Sequence, residues 1–216
     1  MILYLKKKIR VILRIKINKR NRKRLKNKEC SILASNCVGG VIYHELGIKF
    51  LSPTINIYFD APDFIKFLKD PKKYCNPEQM VLIKQNIRPY PVVKINDITI
   101  YCVHYQTFEE VKHKWVERFS RIKWDNLCII MSERDKCTYD DIVEFDKLSY
   151  ENKVIFVHKE MPEIKSSIYI SGTELDGKDG NWIRSLTDYL GSFTGKRIMD
   201  LWDYVDFINN ARNGKE

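Results

Sequence analysis

Residues 35–40 read Ser-Asn-Cys-Val-Gly-Gly, a segment that leaves an apolar run and enters a helix-like stretch through two glycines. Backbone N–H groups at such a helix start can approach a bound anion, because glycine leaves no side chain in the way. In that arrangement Asn36, Gly39 and Gly40 cradle phosphate, for example the diphosphate of a nucleotide-sugar. The competing reading is a tight turn that needs glycine for its backbone angles alone. The spacing matches neither G-x-G-x-x-G nor a P-loop. Cys37 stands in the same turn, where a helix N-terminus lowers a thiol pKa and favours a nucleophilic thiolate. A thiol nucleophile needs a base, and His104 is the candidate. The plainer alternatives are a structural thiol and a histidine satisfied at a strand end.

A second constellation follows the apolar run 127–131. There Ser132-Glu133-Arg134-Asp135-Lys136 offers Arg134 as a bidentate phosphate clamp and Asp135 as a base or a ligand for a sugar hydroxyl. A solvated loop with a local ion pair would look the same in sequence. In open α/β sheets, sites form beyond the carboxyl ends of the strands. Reading the residues at those ends gathers Asn36, Cys37, Asp60, His104, Tyr105, Arg134, Asp135 and His158. Tyr105 joins the substrate-binding set with Asn36, Gly39, Gly40 and Arg134. Asp200, Asp203 and Asp206 recur at helical spacing and are read as a solvated helix face.

Other chemistries lose ground on composition. The six cysteines (Cys30, Cys37, Cys75, Cys102, Cys128, Cys137) have no zinc spacing. The chain has no Asp-x-Asp pair, which argues against a metal-dependent glycosyltransferase. No metal and no cofactor is expected. With 44% hydrophobic and 31% charged residues, the composition is that of a globular protein. Reduced thiols in a cytoplasmic setting are the simplest account of the cysteines.

The net charge of +10 comes entirely from the first 28 residues, which hold thirteen Lys and Arg and no acid. The remainder carries 25 basic against 28 acidic residues. Ile2, Leu5, Ile9, Ile12 and Leu13 repeat at helical spacing, with Lys6, Lys7, Arg10 and Arg14 mainly on the other side. This predicts a basic amphipathic leader and polar linker over 1–28, resting on an anionic membrane surface. A single domain then occupies 29–216. A nucleic-acid arm has no use for the aliphatic stripe, so no nucleic acid is expected as a partner. No signal peptide is read in the leader, and no apolar run is long enough to span a bilayer.

The elements that must hold these residues alternate. Strands are predicted at 30–34, 55–59, 92–95, 98–104, 127–131, 154–157 and 168–170. Helices are predicted at 41–46, from 61 to the stop at Pro71, at 77–85, from Thr107 toward Ile122, and after Thr138. Two more are predicted at 182–190 and 196–211. Asn96-Asp97 signals a hairpin turn, and Thr107 with Glu110 and Thr138 with Asp141 signal helix starts. Alternating strands and helices point to a layered α/β fold whose sheet is mixed, largely parallel and flanked by helices.

Several pieces, in order, resemble one bacterial family. They are residues 35–40, Ile42-Tyr43, Leu46-Gly47, Ser52-Pro53-Thr54, the stretch 62–68, and His104-Tyr105. Trp115 with Arg118, the stretch 124–127, Arg134-Asp135 and Lys153-Val154 complete the set. The family is a domain of unknown function, nineteen-nineteen in its series, whose members are often labelled exopolysaccharide biosynthesis proteins. The resemblance covers 30–170 and leaves out the leader and the C-terminal stretch. It implies an α/β fold and a place in surface-polysaccharide assembly, and supplies no catalytic residue.

Together these readings predict a metal-independent transferase acting on nucleotide-sugar or phosphate-bearing substrates, with His104, Asp135 and Cys37 as catalytic candidates. A lipid-linked glycan is the other expected substrate partner, and the inner membrane face the expected place. Two alternatives stay open. One is a non-catalytic accessory or glycan-binding protein of polysaccharide assembly. The other is a Cys37-dependent acyltransferase or hydrolase.

Overall fold

A computed structural model describes residues 2–83 and 88–212. At its centre four parallel strands lie in the order β1 (Ser31–Ala34), β5 (Leu127–Ser132), β6 (Lys153–Val157), β7 (Ser167–Tyr169). Register is fixed by pairs such as Leu33 with Ile129 and Met131 with Ile155. Successive side chains on a strand point to opposite faces, so these near-continuous apolar runs serve two cores at once. Leu33, Ile129, Met131, Ile155 and Val157 face one core. Ile32, Ala34, Cys128, Ile130, Val154 and Phe156 face the other.

The first core is closed by α3 (Ala61–Lys69), α4 (Phe108–Phe119) and α5 (Tyr139–Asp146). Thr107 caps α4 by accepting from the Glu110 N–H, and Thr138 with Asp141 makes a full capping box on α5. A small antiparallel sheet joins this layer: β2 (Met80–Leu82), β3 (Val92–Ile95) and β4 (Ile98–Tyr101). Its hairpin turns at Asn96, which takes φ 51°. The fold is therefore α/β as expected, with the antiparallel portion in a sheet of its own. The helix predicted over 77–85 is a short turn followed by β2, and its last two positions lie outside the described residues.

On the other face, α2 (Val38–Leu46) packs with α6 (Tyr204–Asn209) and the C-terminal segment. The helix predicted at 182–190 is an irregular ribbon, pinned by bridges from Glu174 to Ile183 and from Tyr189 to Arg197. The segment 196–211 forms a short turn at Ile198–Leu201 before α6. Its three aspartates do not share a solvated face. Asp200 pairs with Arg14 out of solvent, while Asp203 caps α6 and pairs with Arg24.

The N-terminal helix α1 runs unbroken over Ile2–Arg24, through much of the stretch predicted to be a linker. Its inward side is part of the packing. Arg14, 6% exposed, bonds Glu45 of α2 through Nε at 2.9 Å and also reaches Asp200. Arg197 reaches the same Glu45 oxygen at 2.9 Å. Asn21 donates to the Tyr204 hydroxyl at 2.8 Å, and Leu25 and Asn27 are buried behind it. Gly195 meets the helix so closely that an added Cβ would stand 2.6 Å from that of Leu13. Among the described residues, no helix is long and apolar enough to cross a membrane.

Candidate active site

The chain leaves β1 for α2 on one face of the sheet and leaves the adjacent β5 for α5 on the other. Neighbouring strands whose exits diverge in this way open a crevice beyond their carboxyl ends. Asn36, Cys37 and Asp135 meet there. Asn36 donates from Nδ2 to the Ser132 hydroxyl at 2.8 Å and hydrogen-bonds the Asp135 carboxyl. Burial pushes the Asp135 carboxyl up to about 6; Arg134 and the Asn36 bond pull it down, and the nearby Asp60 charge adds to the rise. Asp60 itself is held by Lys136 at 2.7 Å and by the Tyr101 hydroxyl at 3.2 Å. The stretch predicted as a strand at 55–59 positions it. Only Tyr58 pairs with β4, and Phe59 donates to the Ser35 carbonyl at 3.0 Å, which ties the segment to the exit of β1.

The four residues after β5 divide their carboxylates between the neighbouring strands. Asp135 turns toward the exit of β1, whereas Glu133 turns toward the exit of β6. There Glu133, 3% exposed, accepts from the backbone N–H of His158 at 2.8 Å and lies 2.7 Å from its Nδ1. A carboxylate can only accept, so Nδ1 carries the proton and Nε2 is the nitrogen left basic. The His158 ring stacks on Trp182 with centroids 4.9 Å apart. Both rings line a cleft of about 580 Å³ together with Glu133, Lys136, Tyr139 and Lys159.

Backbone strain accompanies this loop. Asp135 and Lys136 take φ 57° and 63° in succession, the left-handed region that side chains other than glycine rarely adopt. The segment from Gly172 to Trp182 holds them there. Asn181 accepts the Asp135 N–H through its side-chain oxygen at 3.3 Å, and Trp182 donates its N–H to the Glu133 carbonyl at 2.9 Å. A Cβ on Gly180 would lie 2.4 Å from the Lys136 Cα. Gly177 similarly lies against the Trp182 ring.

The remaining sequence candidates have other surroundings. Gly39 and Gly40 lie buried within α2, where they let the helix close on the sheet. An added Cβ would sit 3.0 Å from the Ala34 Cβ at the first and 3.3 Å from Ile55 at the second. Burial, with the Asp135 charge, pushes the Cys37 thiol up to about 11, opposite to the direction expected of a helix N-terminus. Arg134 donates to the Ile183 carbonyl and so fastens the C-terminal ribbon. Tyr105 is buried, donating to the Ile55 carbonyl at 2.9 Å and accepting from Arg118 at 2.5 Å. His104 is exposed in the turn after β4. Glu133 and Trp182 carry no sequence signal of their own. His158 sits at a strand end, and that position was the legible clue. Among the described residues no group of three His, Cys, Asp or Glu side chains could hold a metal ion.

Over 195 residues the chain is 38% identical to an uncharacterized protein of Haemophilus influenzae, covering 90% of this chain and 91% of that one. The family match extends well beyond the stretch 30–170 and takes in most of α1 and the C-terminal ribbon. It runs over residues 8–209, and the chain belongs to the family described as Domain of unknown function (DUF1919).

Proposed function

We propose that this chain is a metal-independent transferase of surface-polysaccharide assembly, acting on a nucleotide-sugar or another phosphate-bearing sugar, with His158 as its base. The observation that carries this reading is the Glu133–His158 pair in a cleft flanked by Lys136 and Lys159. His158 Nε2 takes the proton of an acceptor hydroxyl as that oxygen attacks the sugar carbon. The bond from carbon to phosphate oxygen breaks, and the phosphate departs with the electron pair. Glu133 balances the imidazolium, and Lys159 at the mouth of the cleft balances the leaving charge. The pathway rests on the family resemblance read from the sequence alone. The raised Cys37 pKa disfavours the thiol-dependent alternative.

Thermal-shift measurements of the full chain against a panel of nucleotide-sugars, followed by turnover assays with the ligands that bind, test the proposal. His158→Ala should lower turnover about 10²–10⁴-fold. The substitution also takes a partner from buried Glu133 and from the Trp182 ring, so the melting temperature should fall while the chain stays folded at the assay temperature. Glu133→Gln should cost less, because the ring keeps its place and loses only the stabilising charge. Binding without turnover would assign the accessory role instead. A panel with no shift, or full activity in His158→Ala, would defeat the proposal.

A further inference from the structure

We infer that the outward face of α1 docks on an anionic lipid bilayer. Leu5, Val11, Ile12 and Ile15 are 57%, 54%, 55% and 61% exposed. Steps of three, four and seven residues put them side by side on one helix face. Lys16, Lys19 and Lys23 are exposed beside them. Ile15, Asn18, Lys19, Arg22 and Lys23 also line a hollow of about 400 Å³ on this side, which joins an aliphatic side chain to cationic ones. That combination suits a phospholipid headgroup and the top of its acyl chains.

The cations that meet the bilayer differ from those the helical pattern alone suggests. Arg14 is spent on Glu45 and Asp200, Arg22 on the Glu45 carbonyl, Arg24 on Asp203, and Arg10 lies 4.2 Å over the Tyr189 ring. These side chains dock the helix, leaving its lysine-rich side outward. Of the expected stripe, Leu5 and Ile12 face out, Ile9 and Leu13 are half-buried, and Ile2 lies outside the described side chains. At about 1.5 Å per residue the helix is roughly 34 Å long, enough for several turns in the interfacial plane. Charge selects the occupant. Lys16, Lys19 and Lys23 stand exposed beside the aliphatic side chains, no acid interrupts residues 1–28, and an acidic surface complements them. A nucleic acid would leave the four aliphatic side chains without a role.

Sedimentation of the full chain with vesicles tests this. Phosphatidylcholine vesicles carrying phosphatidylglycerol should bring the protein down at low salt, and pure phosphatidylcholine vesicles should not. The double variant Ile12→Glu/Ile15→Glu should lower partitioning about 100-fold. Lys19→Glu/Lys23→Glu should lower it at least about tenfold and flatten its dependence on salt. All four positions are exposed or face the hollow, so melting temperatures should stay at the parent value, which separates lost binding from lost folding. Equal sedimentation of parent and Ile12→Glu/Ile15→Glu would overturn the inference. So would tighter binding to duplex RNA than to anionic vesicles, or a dimer in light scattering that the isoleucine variant dissolves.

Discussion

Asp135 illustrates how one backbone position and one charge are held against their own preference. Its carboxyl titrates at about 6 in the folded chain, against an ordinary value of 3.8. Between those two pH values the folded state keeps a proton that the unfolded state has released. Stability therefore falls as pH rises through this window and levels off above it. The shift corresponds to about 3 kcal/mol at most, reduced by the carboxyl's partial contact with water. Asp135→Asn removes the charge, and Asn tolerates a left-handed backbone. It should stabilise the protein by about 1–3 kcal/mol at pH 7 and change nothing below pH 4, as read from urea unfolding across that range. The strand-end rule picked out Asn36, Cys37, Asp135 and His158 because a parallel sheet delivers those positions to one edge. It could not rank them. Which carboxylate reaches the imidazole depends on the φ values of Asp135 and Lys136, and these reverse the loop in a way no neighbouring residue type announces.

At the scale of elements, the glycine-rich loop is a clamp on that reversed backbone. Gly180 and Gly172 both have positive φ, but only Gly180 lies against another segment. Gly180→Ala should cost about 2–3 kcal/mol and raise amide exchange in residues 133–136, because side-chain strain adds to collision with Lys136. Gly172→Ala, with nothing within 4 Å, should cost only about 1 kcal/mol and leave that exchange unchanged. Helix starts with Thr caps, the hairpin at Asn96 and the two-faced strands were legible because each has a short-range cause. β2 was not: a three-residue strand owes its state to pairing with β3. The ribbon through Trp182 also escaped, since its spacing fits a helix while its N–H groups bond the exit of β5 and the neighbouring loop.

For the molecule as a whole, the buried ion cluster ties three distant stretches of chain together. Glu45 receives both Arg14 and Arg197, and Arg14 also reaches Asp200. Removing the central acid leaves two guanidinium groups without their shared partner. Glu45→Ala should therefore destabilise the protein by about 3–5 kcal/mol in chemical denaturation, even though Glu45 lines no part of the cleft. Composition concealed this arrangement. A run of thirteen cations looks detachable until its partners, scattered from α2 to the C-terminal ribbon, are brought beside it. The same closure orders events in synthesis. Asn21 and Tyr204 are 183 residues apart, so α1 must wait for α6 to be synthesised before its inner side is covered. During that interval both sides of the nascent helix are bare, and on the docking proposed above an anionic surface would receive it before the domain has closed.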